Sequence, residues 1–123
     1  MLGLMQDHPL LISSIFEHAV GNYGKQEIVS NTVEGGIHRY NYSSWGERTK
    51  KLANALKSLN LNQGDKVGTL AWNGYRHLEI YYATSCSGLI CHTLNPKLHP
   101  DQVSYIVNHA EDKVLCVDLN ILP

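Results

Sequence analysis

An excess of charge of either sign is missing from these 123 residues: ten Lys plus Arg stand against eleven Asp plus Glu, a formal net charge of -1. That balance argues against an electrostatic grip on nucleic acid or an anionic membrane, and leaves small molecules or other proteins as partners. Long apolar runs are missing too. No stretch approaches the roughly 20 residues of a membrane-spanning helix. The start, Met1-Leu2-Gly3-Leu4-Met5, gives way at once to Gln6-Asp7-His8, too short a run for a signal peptide and without a basic residue. Cysteine is scarce: Cys86, Cys91 and Cys116 are an odd number without a disulfide-framework spacing, in or beside apolar runs. A reduced, cytoplasmic setting is therefore expected.

Several catalytic signatures are also lacking. There is no G-x-S-x-G elbow, and Ser85 and Ser87 lie toward the end of a predicted helix, which sets a serine hydrolase aside. The seven histidines, His8, His18, His38, His77, His92, His99 and His109, fall on different elements with no pair at i, i+4. Cys86 and Cys91 lack a second pair. No metal site is expected, and the thiols read as core and the imidazoles as surface. Gly21-Asn22-Tyr23-Gly24-Lys25 faintly resembles a phosphate cradle, but it follows a helix rather than a strand and has no Ser or Thr.

What is present is enough chain for one domain, residues 1–123, with the 43% hydrophobic and 17% charged content of a globular protein. Leu10, Leu11, Ile12, Ile15, Phe16, Ala19 and Val20 have helical spacing, with Gly21 and Gly24 as terminators. Glu27–Ser30 and Ile37–Tyr40 read as a hairpin around Gly35-Gly36. Trp45, Thr49, Leu52, Leu56 and Leu59 form the clearest helical stripe, capped by Asn41 or by Ser44 with Glu47. Lys66–Ala71 reads as a strand without a polar face, followed by a helix over 75–87 and a strand near 89–93. Pro100 opens a helix carrying Val103, Ile106, Val107 and Ala110, and 113–118 is another buried strand. Strand, helix, strand, helix, strand at this spacing predicts an α/β fold: parallel-sheet crossover units with a small N-terminal β-hairpin. The apolar close at Ile121-Leu122-Pro123 reads as an interruption, so a fragment is expected.

Two segments stand out. Asn73–Glu79 with Tyr81-Tyr82 could stack a ring, although it reads more simply as a helix start with Leu78, Tyr81 and Tyr82 on the sheet and Arg76 or Glu79 in solvent. His92-Thr93-Leu94-Asn95-Pro96-Lys97-Leu98-His99-Pro100 is a rigid turn, because proline fixes its own φ and restricts the residue before it. It presents Lys97 at the carboxyl end of a buried strand, where open parallel sheets hold their ligands.

Asn41-Tyr42, Arg48, Lys51-Leu52-Ala53, Leu56 and Leu59, then Gln63-Gly64-Asp65-Lys66-Val67, Leu70 and Asn73, resemble the start of the AMP-forming acyl-CoA synthetases, the adenylate-forming ligases. Gly74–Glu79, Tyr82-Ala83, His92–Leu98 and Tyr105–Lys113 look like the fatty-acyl branch, including the methylmercaptopropionate ligases. The resemblance runs over nearly the whole chain and implies part of the large N-terminal domain of such a ligase. It also implies the reaction of a carboxylate with ATP and Mg²⁺ to an acyl adenylate, then transfer to coenzyme A. The family's phosphate loop, adenine- and Mg-binding segment and catalytic lysine are not matched here. The resemblance therefore implies no catalytic residue in this segment, no activity from it alone, and the remainder of the ligase chain as partner, with homodimer formation an option. Of site residues it implies one: in relatives the basic residue after Asn-Pro, usually Arg, contacts a phosphate of coenzyme A, and Lys97 stands there as a point charge without the bidentate fork. The alternatives are a short non-catalytic interaction or dimerisation module with the same fold and, last, a flavodoxin-type nucleotide-binding domain.

Overall fold

The computed structural model describes Gly3, Leu4 and residues 6–121; Met1, Leu2, Met5, Leu122 and Pro123, and with them the apolar start and close in part, lie outside the described residues. The elements run α1 (Ile12–Tyr23), β1 (Glu27–Asn31), β2 (Ile37–Asn41), α2 (Tyr42–Lys57), β3 (Lys66–Leu70), α3 (Tyr75–Ser85), β4 (Ile90–Thr93), α4 (Pro100–Ala110) and β5 (Val114–Val117), with a 3-10 turn at Leu119–Ile121.

The hairpin forms as its glycines require: Gly35 and Gly36 hold φ of +89° and +101°, open to glycine at no steric cost, and β1 pairs antiparallel with β2 from Glu27 opposite Asn41 to Asn31 opposite Ile37. Asn41 then caps α2, its Oδ1 accepting the Ser44 N–H at 2.9 Å. Phe16 of α1, Trp45 of α2 and Tyr82 of α3 meet edge to face or tilted, with centroids 4.8 to 5.9 Å apart, and weld the three helices into one layer. Gly46 lets α1 come close: a Cβ there would meet Val20 Cγ2 at 2.8 Å.

The second sheet is parallel, in the order β4-β3-β5. From β3 the chain crosses through α3 to one neighbour, then through α4 back past β3 to the other, so β3 is central and its Val67–Leu70 run is buried. Successive side chains alternate between faces. Thr69 faces α3 and bonds His77, whereas Gly68 faces Asp112, directly after α4.

Three expectations need correcting. Gly21 does not stop α1, since a glycine inside a helix costs only about 1 kcal/mol against alanine; the helix continues to Tyr23 and ends at Gly24, where a side chain would run into Ser43. Leu59 is not on the α2 stripe, since α2 ends at Lys57 and the chain turns through left-handed Asn60, φ 56°, leaving Leu59 exposed. β5 is not a buried strand but an edge, with Leu115 half in water, because its apolar composition reports sheet interior and not pairing on both sides. The stripe of α4 forms where expected, Val103, Ile106, Val107 and Ala110 making the less exposed face of a helix that has no buried residue.

Candidate functional site

Lys97 lies where the sequence puts it, in the connection leaving the carboxyl end of β4. Leu94 plugs the entry: it is buried, and its N–H continues the sheet ladder by donating to Thr69 O at 2.9 Å. Asn95 O accepts the Leu98 N–H at 3.2 Å, closing a turn with Pro96 in its second position, and Asn95 Oδ1 accepts the Lys97 N–H at 3.0 Å. At the exit, the His99 N–H donates to Gln102 Oε1 at 3.2 Å, the Asp101 N–H donates to His99 Nδ1 at 3.3 Å, and Pro100 starts α4. Lys97 itself is exposed and, among the described residues, in no ion pair. The loop can therefore offer a cation, on a backbone held in place, to an anionic group from solvent. The neighbouring His99–Asp101 pair is exposed on both sides and contributes little.

A second feature lies at the carboxyl ends of the neighbouring strands β3 and β5, the side on which open parallel sheets hold their ligands. The Trp72 N–H donates to Asp118 Oδ2 at 2.9 Å, tying the two strand ends together. Beside it Gly74 precedes α3 without a side-chain cap, and a cavity of about 20 Å³ is lined by Asn73, Gly74, His77 and Asp118 with Asn31 and Thr32 of the hairpin. That is space for a single water-sized group, not for a nucleotide. His77, expected at the surface, is 7% exposed; its Nε2 pairs with Thr69 Oγ1 at 2.9 Å, and burial pushes its pKa below the usual imidazole value.

The Asn73–Glu79 segment builds a clamp within the protein. Glu79, expected as a solvent candidate, is buried and receives both Nε and Nη2 of Arg48 at 2.7 and 3.2 Å. Tyr75 stacks on His38 of β2 at 3.8 Å and carries the guanidinium groups of Arg48 and Arg76 over its ring. Arg76 is half-exposed and pairs with Glu34 at 2.8 Å. Burial, then the Glu79 carboxylate, pushes the Tyr40 hydroxyl pKa up. Tyr82 packs on Phe16 and Trp45 rather than on the sheet, and Tyr81 is exposed. Nothing in the local sequence joins Arg48 to Glu79; only the α2–α3 packing does.

His92, also expected at the surface, is part-buried and bonds both oxygens of Asp112, whose side chain is 0% exposed, at 2.9 Å. The three thiols are half-buried, and burial raises the pKa of each. Gly21–Lys25 is the end of α1 and the turn after it, not a strand-to-helix loop. Among the described residues no three His, Cys, Asp or Glu side chains converge as a metal site would require.

A crossover sheet with a clamped hairpin in front is the architecture of the N-terminal domain of the adenylate-forming ligases. It superposes on a fatty acyl CoA synthetase of Mycobacterium tuberculosis with a TM-score of 0.82 at 18% identity, covering 92% of this chain and 22% of that one. The model of the family described as AMP-binding enzyme matches residues 16–121, and the chain belongs to that family. It is 49% identical over 123 residues to a 3-methylmercaptopropionyl-CoA ligase of Ruegeria lacuscaerulensis, covering 100% of this chain and 23% of that protein. To a medium-chain-fatty-acid–CoA ligase of Ectopseudomonas oleovorans it is 46% identical over 126 residues, covering 100% and 22%. The chain thus spans under a quarter of the length of these curated relatives.

Proposed function

We propose that the chain is the N-terminal segment of an AMP-forming ligase that joins a medium- or long-chain fatty acid, or a related carboxylic acid, to coenzyme A in the cytoplasm. The reaction consumes ATP and yields acyl-CoA, AMP and pyrophosphate. The observation that carries this reading is end-to-end identity of 49% and 46% to two CoA ligases of different acids. Adenylation makes a poor electrophile reactive, and Mg²⁺ in such a reaction offsets charge on the phosphates. The described residues offer that ion no converging donors, and the sequence has no Ser/Thr/Gly-rich loop for the triphosphate, so no step of adenylation is assigned to this segment. Its contribution is the hairpin-and-sheet frame and one group toward the coenzyme: Lys97, whose exposed ammonium fits a phosphate as a point charge.

The test is to express the complete open reading frame and the 123-residue chain side by side. The complete protein is expected to convert a fatty acid to its CoA thioester with ATP, and the chain alone to give no acid-dependent ATP–pyrophosphate exchange. Exchange by the short chain, or no thioester formation by the complete protein with any of a panel of carboxylic acids, would overturn the reading. In the complete enzyme Lys97→Ala is expected to raise the KM for coenzyme A about tenfold, as for a lost charge-assisted contact of ~1.4 kcal/mol, with pyrophosphate exchange unchanged.

A further inference from the structure

We propose that Asn95 positions Lys97 for the coenzyme phosphate, acting through the Lys97 backbone. The proposal rests on the phosphate reading of Lys97 and adds the device that aims it. Both ends of the loop are pinned, by buried Leu94 on Thr69 at 2.9 Å and by His99 on Gln102 at 3.2 Å. Pro96 has a fixed φ and no N–H to give. What proline leaves undetermined is the peptide between Pro96 and Lys97, whose flip distinguishes the two common turns with proline in the second position. One of those turns would demand a positive φ at Lys97, and among the described non-glycine residues only Asn60 and Glu111 have one.

The Lys97 N–H is held in this orientation by the Asn95 carboxamide oxygen at 3.0 Å, while Asn95 O takes the Leu98 N–H at 3.2 Å. Losing the side-chain bond frees the peptide to rock, and with it the direction in which Lys97 leaves the turn. Because Asn95 is exposed and at the loop tip, the loss costs the fold little. Its effect belongs to the coenzyme.

The experiment compares Lys97→Ala, Asn95→Ala and Asn95→Ser in the complete ligase, with coenzyme A and with pantetheine, a thiol that lacks the phosphates. Asn95→Ala is expected to raise the KM for coenzyme A about threefold, leaving kcat, pyrophosphate exchange and the KM for pantetheine unchanged. Asn95→Ser is expected to restore the wild-type KM, since a serine hydroxyl accepts the same N–H without adding charge. If Lys97→Ala leaves the KM for coenzyme A unaltered, the phosphate reading fails and the proposal with it. If Lys97→Ala raises it and Asn95→Ala does not, Lys97 binds phosphate but Asn95 does not position it. An equal rise for pantetheine, or slower exchange, would mean general damage to the loop and would also overturn the proposal.

Discussion

Arg48 and Glu79 stand 31 positions apart, yet they form the shortest side-chain ion pair among the described residues, 2.7 Å from Nε to Oε1. Glu79 is almost wholly desolvated while the Arg48 side chain is 48% exposed, so the two halves are not equivalent. Removing the arginine strands a carboxylate; half of the guanidinium's own environment is already water. Arg48→Ala is therefore expected to cost about 2 kcal/mol in urea unfolding, below the 3–5 kcal/mol of a fully buried pair. The control is Arg39→Ala, which breaks the exposed Arg39–Glu27 pair of the hairpin and should change stability by no more than about 0.5 kcal/mol. Equal losses would remove the distinction.

His77 makes a prediction in pH. Its folded pKa lies below 6.5 because burial disfavours the imidazolium, so below that pH the unfolded chain binds a proton that the folded chain refuses. Stability is then full above the unfolded value and falls with acid, by at most about 1.4 kcal/mol per pH unit, until the folded pKa is passed. His77→Gln should flatten this part of the profile between pH 7 and 5, measured from denaturation midpoints. An unaltered slope would show that His77 titrates as an exposed histidine does.

At the scale of elements, β3 shows why a central strand carries a glycine. A Cβ on Gly68 would lie 2.8 Å from Asp112 Oδ2 and 2.9 Å from Leu115 Cδ1. Leu115 is at a free edge and can swing aside. Asp112 is fully buried and bound to His92, so the carboxylate must break that bond or the sheet must shift. Gly68→Ala is expected to destabilise by about 1–3 kcal/mol, the usual range for overpacking a well-filled interior. A neutral result would mean that Asp112 relocates freely.

The elements were readable from sequence wherever local chemistry sets them: the Gly35-Gly36 turn, the Asn41 cap, Pro100 at the head of α4 and the Asn95-Pro96 loop. They were misread where tertiary pairing decides. β5 has the composition of a strand flanked on both sides but pairs on one, and α1 passes Gly21 to end at Gly24, which lies against Ser43 of α2. The crevice of Asn31, Trp72, His77 and Asp118 draws on three stretches of chain, and no periodicity within any one of them announces it.

For the molecule as a whole the same one-sided strands have a consequence in solution. Among the described residues the parallel sheet has three strands and two free edges, α4 has no buried residue, and Ile90, Tyr105, Leu115 and Leu119 are all exposed. An apolar parallel edge is a template for pairing with another chain, and natural sheets cover it, charge it or shorten it. The relatives are over four times as long, which supports covering by the rest of a ligase chain as the native solution. If so, the 123-residue chain alone should self-associate without a fixed stoichiometry, giving a broad, concentration-dependent profile in size exclusion, and charge placed on the edge by Leu115→Lys should sharpen it. A single well-defined dimer, unchanged on dilution and lost with Leu115→Lys, would instead make this edge an evolved interface, favouring a short dimerisation module over a ligase segment.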